Sequence, residues 1–195
     1  MILPDDPGVD HFAMQLATRT IPAPRADEYA RGAGSVAEEH GTVTGVVVTV
    51  PPVHWIHSMP ALAPERGLLL SRRMAECEYL AVDPAFRGRK TGSLLTHHAR
   101  RQFTARGYRL LTATVTEDNF PLLPYYRSMG WHTLRPREPL GVLDPAGPTA
   151  VWRPSEANLV QMWMPLHPAV ATAPWPTPYG NRPAITGVLS TPGNA

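Results

Sequence analysis

Residues 77–95, CEYLAVDPAFRGRKTGSLL, are the part of the chain best suited to bind an anion. They are typical of a β-strand that leads through a short basic turn into a helix. This arrangement points several backbone N–H groups and the positive end of the helix dipole at one place. The turn contains two glycines and three cations: Gly88, Gly92, Arg87, Arg89 and Lys90. These features indicate a pyrophosphate site, although a helix start with solvated basic side chains has the same pattern.

The basic turn resembles the acetyl-CoA-binding motif of the GNAT superfamily of N-acetyltransferases. That motif has Arg or Gln, two residues, Gly, one residue, and then Gly or Ala. Arg87 takes the first position and Gly92 the last. Lys90 stands where the family has its middle glycine, and its backbone N–H is still available to a ligand.

A second motif, NFPLLPYYRSMGW, follows at residues 119–131. It resembles the GNAT segment that has Asn, then Tyr seven residues later, and then Gly-Phe. Asn119, Tyr126, Gly130 and Trp131 hold those positions. The two motifs occur in the family's order, and the resemblance covers roughly residues 35–134.

The resemblance implies a fold, a cosubstrate and a reaction. The fold is mixed α/β, with a mostly antiparallel sheet, a splayed parallel pair of central strands, and helices on both faces. The cosubstrate is acetyl-CoA, whose acetyl group passes to an amine, and no metal takes part. The residues implied to contact acetyl-CoA are Leu80, Ala81, Val82, Arg87, Gly88, Arg89, Lys90, Thr91, Gly92, Ser93, Asn119 and Tyr126.

The resemblance also assigns catalytic roles. Glu76 lies four residues before Leu80, whose N–H would stabilise the thioester oxygen, and it holds the position of the family's general base. Strand alternation predicts that Glu78 shares a face with Glu76 and Leu80, so Glu78 is the second candidate base. Tyr126 would protonate the leaving thiolate, whereas its neighbour Tyr125 is expected to point elsewhere. A solvated strand face, or a core tyrosine, would explain the same residues without catalysis.

The elements that must position these residues follow from hydrophobic patterns and turn residues. Residues 1–34 include possible helices at 9–19 and 25–31, and residues 53–72 have no clear pattern. The other predicted elements are a hairpin (35–39 and 42–50), strands 73–82, 108–116, 131–134 and 157–165, and helices 93–106 and 124–129. Twelve of the 23 prolines lie from Arg135 onward. We therefore predict a domain of residues 1–166 and an irregular tail of residues 167–195.

Composition excludes several classes of function. A net charge of +2 disfavours nucleic acid and acidic membrane surfaces as partners. No apolar run is long enough to span a bilayer, and the N-terminus lacks the pattern of a secretory signal. Cys77 is the single cysteine, which fits a reducing compartment, so we expect a cytoplasmic protein. His54 and His57 lack the further ligands of a metal site and are expected to line the acceptor pocket.

Alternatives remain for the activity. The acyl group could be longer than acetyl, or the chain could be a silent acyl-CoA-binding module. The acceptor is expected to be a small-molecule or peptide amine, chosen by the segments 53–72 and 135–157. The sequence does not decide whether the chain forms a homodimer.

Overall fold

In the computed structural model, residues 32–57, 63–136, 138–144, 150–153, 158–177 and 180–190 are described. These residues form two β-sheets. The larger sheet is built from β1 (Ala33–Glu39), β2 (Thr42–Val50), β3 (Met74–Val82), β4 (Leu110–Thr116), β5 (His132–Thr133) and β8 (Leu159–Pro165). The smaller sheet is built from β6 (Leu140–Leu143), β7 (Ala150–Arg153), β9 (Ala171–Thr177) and β10 (Gly180–Thr186). The strand orders are β1-β2-β3-β4-β8-β5 and β7-β6-β10-β9.

Four α-helices accompany the sheets in the described part of the chain: α1 (Val53–His57), α2 (Pro64–Arg73), α3 (Thr91–Ala105) and α4 (Leu123–Ser128). Two 3-10 helices, Pro84–Phe86 and Glu117–Leu122, follow β3 and β4. The strands, helices and turns predicted between residues 35 and 165 are confirmed, with ends that move by a few residues. The helices expected at 9–19 and 25–31 lie outside the described residues.

The parallel pair β3–β4 organises the larger sheet, and α3 is the crossover between its strands. The two strands pair from Met74 opposite Leu110 to Cys77 opposite Ala113. Beyond this closed end their facing edges separate, although β3 stays paired with β2 and β4 stays paired with β8. We call residues 78–82 and 114–116 the open end. The predicted splayed parallel pair is therefore confirmed.

A β-bulge interrupts β3 at the start of the open end. Tyr79 pairs with Val48 and Cys77 pairs with Thr49, so Glu78 is the extra residue. Cys77 and Leu80 consequently pack in the same small core beside α3, and Glu76 lies on the opposite face of the strand. The expectation that Glu76, Glu78 and Leu80 share one face is wrong, because the bulge shifts the alternation.

Helices cover both faces of the larger sheet, as the predicted fold class requires. On the α3 face, Phe103 of α3 and the residues around α4 pack on Ala75 and Leu111. On the opposite α2 face, α1, α2 and the smaller sheet enclose a second core with Met74 and Leu110. No helix in the described ranges is both long and apolar enough to cross a bilayer.

The smaller sheet contradicts the expectation of an irregular tail. β9 and β10 form a hairpin, and β10 also pairs in parallel with β6. Ile185, Val188 and Leu189 are buried in the core of the α2 face. Pro174 and Pro176 are tolerated because β9 is an edge strand, which does not need every backbone N–H for pairing. These two prolines therefore indicate an edge strand and not the end of regular structure.

Candidate functional site

The basic turn lies between the open end of β3 and the first turn of α3. The Asp83 carboxylate accepts a hydrogen bond from the Ala85 N–H at 2.8 Å and starts the 3-10 helix. Gly88 then takes a φ of 77°, and a Cβ at this position would meet nothing within 4 Å. The first N–H groups of α3 have no partner within the helix, so the turn offers donors beside open space. This geometry fits a pyrophosphate.

Lys90 caps the N-terminus of α3 in a left-handed conformation, with φ 66° and ψ 8°. Glycine favours this region, whereas an L-residue with a Cβ pays roughly 1–2 kcal/mol to enter it. Lys90, at the position of the motif's middle glycine, therefore takes a conformation that favours glycine and adds strain to the turn.

The three cations of the turn differ in their contacts. Arg89 forms an ion pair with Glu39 at 3.5 Å and lies over the Phe86 ring. Arg87 donates from Nε to the Val82 carbonyl at 3.4 Å. Lys90 has no ion pair within the described residues, and its side chain is exposed. Lys90 is thus the cation of the turn most available to a ligand.

Tyr125 lies against the first turn of α3, contrary to the expectation that it points elsewhere. Its hydroxyl is 3.0 Å from the Ser93 hydroxyl. A Cβ on Gly92 would approach the Tyr125 oxygen to 2.9 Å. Gly92 therefore makes room for a tyrosine that ties α4 to α3. Sequence reasoning missed this contact, because it depends on how a one-turn helix packs on its neighbour.

Tyr126 lies on the α3 face near Cys77 and packs edge-on against Trp131 with ring centroids 6.4 Å apart. Burial raises the pKa of Tyr126, and the neighbouring Cys77 and Tyr125 raise it further. The phenol therefore keeps its proton at neutral pH.

We call the gap between the separating strands of the open end the wedge. Cys77 lies beside Tyr126 where the wedge opens, and its thiol donates to the Tyr79 carbonyl at 3.6 Å. Burial raises the pKa of Cys77 to about 12, and the charges of Glu76 and Glu78 contribute. A thiol with so high a pKa is a poor nucleophile at neutral pH. Cys77 is therefore a packing residue rather than a nucleophile.

Glu76 approaches the wedge from the α2 face. It pairs with Thr112 of β4 at the closed end, and Thr112 pairs in turn with Trp163 of β8. The Trp163 ring stacks on His132 with centroids 4.1 Å apart. The half-buried Glu76 carboxylate thus lies on the other side of the sheet from Tyr126.

Two polar residues that sequence reasoning missed lie further along the α2 face. Thr114 and Gln161 are cross-strand partners at the open end. The Thr114 hydroxyl and the Gln161 Oε1 are buried and have no hydrogen-bond partner among the residues that the structure describes. Leaving such an atom unpaired costs about 1–3 kcal/mol. Unpaired buried polar atoms are common at ligand-binding sites. No sequence signal distinguishes these residues from others in their strands.

The basic turn, the wedge and the two faces of the sheet match the arrangement that the motifs implied. The family model of the acetyltransferase (GNAT) family matches residues 9–131. The chain belongs to the GNAT acetyltransferase family.

A solved structure assigned to the GNAT family has the same fold at low sequence identity, whereas no curated protein matches the chain. A protein from Desulfovibrio desulfuricans assigned to the GNAT family is 14% identical, with 83% of this chain and 84% of that chain covered and a TM-score of 0.50. The ribosomal-protein-S18-alanine N-acetyltransferase from Escherichia coli is 17% identical, with 78% and 76% covered and a TM-score of 0.46. A GNAT acetyltransferase from Elizabethkingia anophelis with acetyl-CoA bound is 14% identical, with 73% and 82% covered and a TM-score of 0.48.

The remaining motif positions of the GNAT chain lie near the mouth of the wedge. Asn119 is exposed in the 3-10 helix after β4 and donates from its amide to the Thr116 hydroxyl at 3.1 Å. Leu80 and Ala81 lie on the open part of β3, and Thr91 begins α3. Their contacts with a cosubstrate stay predictions. The described residues contain no group of three or more possible metal ligands.

Proposed function

We propose that the protein transfers the acetyl group of acetyl-CoA to a primary amine by direct attack. The observation that carries this proposal is the wedge between β3 and β4, which opens beside the N-terminus of α3. In this position the pantetheine amides would pair with the exposed edge of β3 like an added strand. The basic turn would hold the pyrophosphate through Lys90, Arg87 and the first N–H groups of α3.

The two faces of the sheet would supply opposite proton transfers. Glu76, on the α2 face, takes a proton from the substrate ammonium directly or through a water. The free amine then forms the new C–N bond while the C–S bond breaks, and the Leu80 N–H favours negative charge on the acetyl oxygen. The nitrogen releases its surplus proton to solvent water, which leaves the neutral amide. Tyr126, on the α3 face, donates its proton to the leaving thiolate. Glu78, at the bulge, is the second candidate base.

The acceptor would approach from the α2 face. Thr114 and Gln161 present buried oxygen atoms without partners on that face, and both atoms accept hydrogen bonds from an ammonium. The half-buried Glu76 carboxylate adds negative charge nearby. These groups favour a cationic amine, either a small molecule or the end of a peptide, in the cytoplasm.

A thiol-release assay tests the proposal directly. Acetyl-CoA and a longer acyl-CoA are each incubated with the full chain and a panel of polyamines, amino acids, aminoglycosides and peptides. We expect amine-dependent release of thiol from acetyl-CoA. If thiol is released only from the longer acyl-CoA, the transferred group is a longer acyl group rather than acetyl. Binding of acetyl-CoA by calorimetry without release by any amine would indicate a silent acyl-CoA-binding module.

A further inference from the structure

A second cationic site lies at the opposite end of α3 from the basic turn. A cavity of 710 Å³ is lined by Gly32, Leu69, Arg72, Arg73, Arg106, Gly107 and Tyr108. α3 has 15 residues. At a rise of 1.5 Å per residue, its two ends are about 22 Å apart. The cavity therefore does not overlap the proposed site for acetyl-CoA.

Three arginines line this cavity, and none has a carboxylate partner in the described part of the chain. Arg73 donates from Nη1 to the Gly107 carbonyl at 3.5 Å. Arg106 lies 5.5 Å from the centroid of the Phe103 ring. Arg72 is exposed. The ion pairs among described residues, Arg66 with Asp144 and Arg89 with Glu39, involve none of these three side chains.

A fourth arginine adds positive charge behind the cavity. Arg109 is 5% exposed, and its Nη1 donates to the Gly187 carbonyl at 2.7 Å. Its Nε is buried without a partner. Burial lowers the pKa of Arg109, and the charge of Arg73 lowers it further. The guanidinium groups of Arg73 and Arg109 are therefore close enough to repel each other.

Helix capping explains only part of this cluster. Arg72 and Arg73 end α2, and Arg106 follows α3, so each complements the negative end of a helix dipole. Capping does not explain why the two helix ends share a cavity. It also does not explain why the buried Arg109 lies next to them. A bound anion would offset the repulsion among all four groups.

We propose that this cavity binds a small, multiply charged oxyanion of the phosphate or polycarboxylate class. Guanidinium groups bind both kinds of oxyanion through paired N–H donors, and the cavity has room for more than a single phosphate group. The proposal is independent of the acetyl transfer proposed above.

The test is a titration of the ¹⁵N-labelled full chain with inorganic phosphate and, separately, with citrate, at ionic strength held constant by sodium chloride. The backbone amides of Gly107 and Tyr108 report on the cavity, and those of Gly88 and Gly92 report on the basic turn. We expect saturable shifts at Gly107 and Tyr108 with at least one of the two anions, and the anion that saturates identifies the class.

The side chains of Arg72 and Arg106 are exposed, and glutamine keeps part of the contact that Arg106 makes with the Phe103 ring. The double variant Arg72→Gln, Arg106→Gln is expected to bind the anion at least tenfold more weakly. The control variant Arg182→Gln removes one exposed charge from β10. Its affinity for the anion is expected to equal that of the wild type. Shifts at Gly107 and Tyr108 no larger than with sodium chloride alone, or equal affinity in the double variant, would overturn the proposal.

Discussion

The two ends of the β3–β4 pair have the same neighbours in the sheet but differ in chemistry. At the closed end, Met74 and Leu110 pack in the core of the α2 face, and the backbones pair residue by residue. At the open end, the strands separate, β3 carries a bulge, and Thr114 and Gln161 keep polar atoms without partners. The closed end is stabilised by packing, whereas the open end lacks pairing between β3 and β4 and lacks polar contacts. The difference indicates that the closed end holds the open end in place for a ligand.

Removing the support of the closed end has the largest expected effect. Deletion of residues 176–195 removes β10 and the Gly187 carbonyl that accepts from Arg109. Ile185 and Val188 are 1% and 0% exposed, so we expect the truncated chain to lose cooperative unfolding in calorimetry. Ile185→Ala alone should lower the free energy of unfolding by about 2–5 kcal/mol. Arg182→Ala, on the exposed side of β10, is the control, and an unchanged melting temperature after the deletion would refute the role of β10.

Among the candidate catalytic residues, Glu76→Gln should have the largest effect on turnover. It keeps the shape of the side chain but cannot accept a proton, so we expect kcat to fall roughly 10²-fold or more. The loss should shrink at high pH, where the amine is already free. Glu78→Gln should cost less. A pH–rate profile of both variants decides between them: full activity in Glu76→Gln with loss in Glu78→Gln would reverse the two roles.

The acid on the α3 face is tested by two neighbouring tyrosines. Tyr126→Phe should lower kcat by about 10²-fold with little change in the Kd of acetyl-CoA. Tyr125→Phe removes the contact with Ser93 and should cost stability, about 1 kcal/mol, rather than turnover. The pKa of Tyr126 is raised from 10.0, so its protonated form persists to higher pH. The midpoint of any decline of the wild-type rate through loss of this proton should therefore lie above pH 10. Unaltered turnover in Tyr126→Phe would mean that water protonates the thiolate.

The unpartnered hydroxyl groups allow a matched comparison between the two faces. Thr114 lies on the α2 face at the open end, whereas Thr49, opposite Cys77, lies on the α3 face, and both have buried oxygens without partners. Thr114→Val should raise the acceptor KM roughly tenfold, because a hydrogen bond to a charged group is worth about 1.5–3 kcal/mol. Thr49→Val should leave that KM unchanged. Neither should reduce the free energy of unfolding, and equal KM values in the two variants would remove Thr114 from the acceptor site.

The smallest expected effect concerns strain in the basic turn. Lys90→Gly should raise the free energy of unfolding by about 1 kcal/mol, because glycine enters the left-handed region without a Cβ. Lys90→Ala removes the same charge but keeps the Cβ, so it should not stabilise the chain. Chemical denaturation measures both. Equal stability of the glycine and alanine variants would mean that the turn is not strained at this position.

Local sequence signals predicted the part of the fold that carries the open end. The order of strand, basic turn, helix and strand follows from hydrophobic patterns and from glycines at turns, and two family motifs fixed the positions of Lys90 and Tyr126. Residues 53–72 gave no pattern, yet they form α1 and α2. The bulge at Glu78 has no local signal, and it reverses which residues share a face with Leu80. The contact of Tyr125 with Ser93 depends on tertiary packing, which spacing alone does not describe.

The smaller sheet was missed because its pairing is not local. β10 lies between β6 and β9, and its parallel partner β6 comes before β7 and β8 in the chain. Single-sequence patterns describe neighbours along the chain, and prolines in β9 resemble a loop. The α2 face of the candidate site, which this sheet helps to cover, was therefore the part that the sequence predicted least.

The interior position of β10 has a consequence for synthesis. The ribosome makes the chain from its N-terminus, so β6 and β7 emerge well before the strand that must pair beside them. Until residues 180–186 are free, β6 presents an unpaired edge, and the apolar surface of α1 and α2 lacks part of its cover. The basic turn and the β3–β4 wedge are complete earlier. A nascent chain would thus have the elements proposed to bind acetyl-CoA before β10 covers the α2 face, which is the proposed acceptor side.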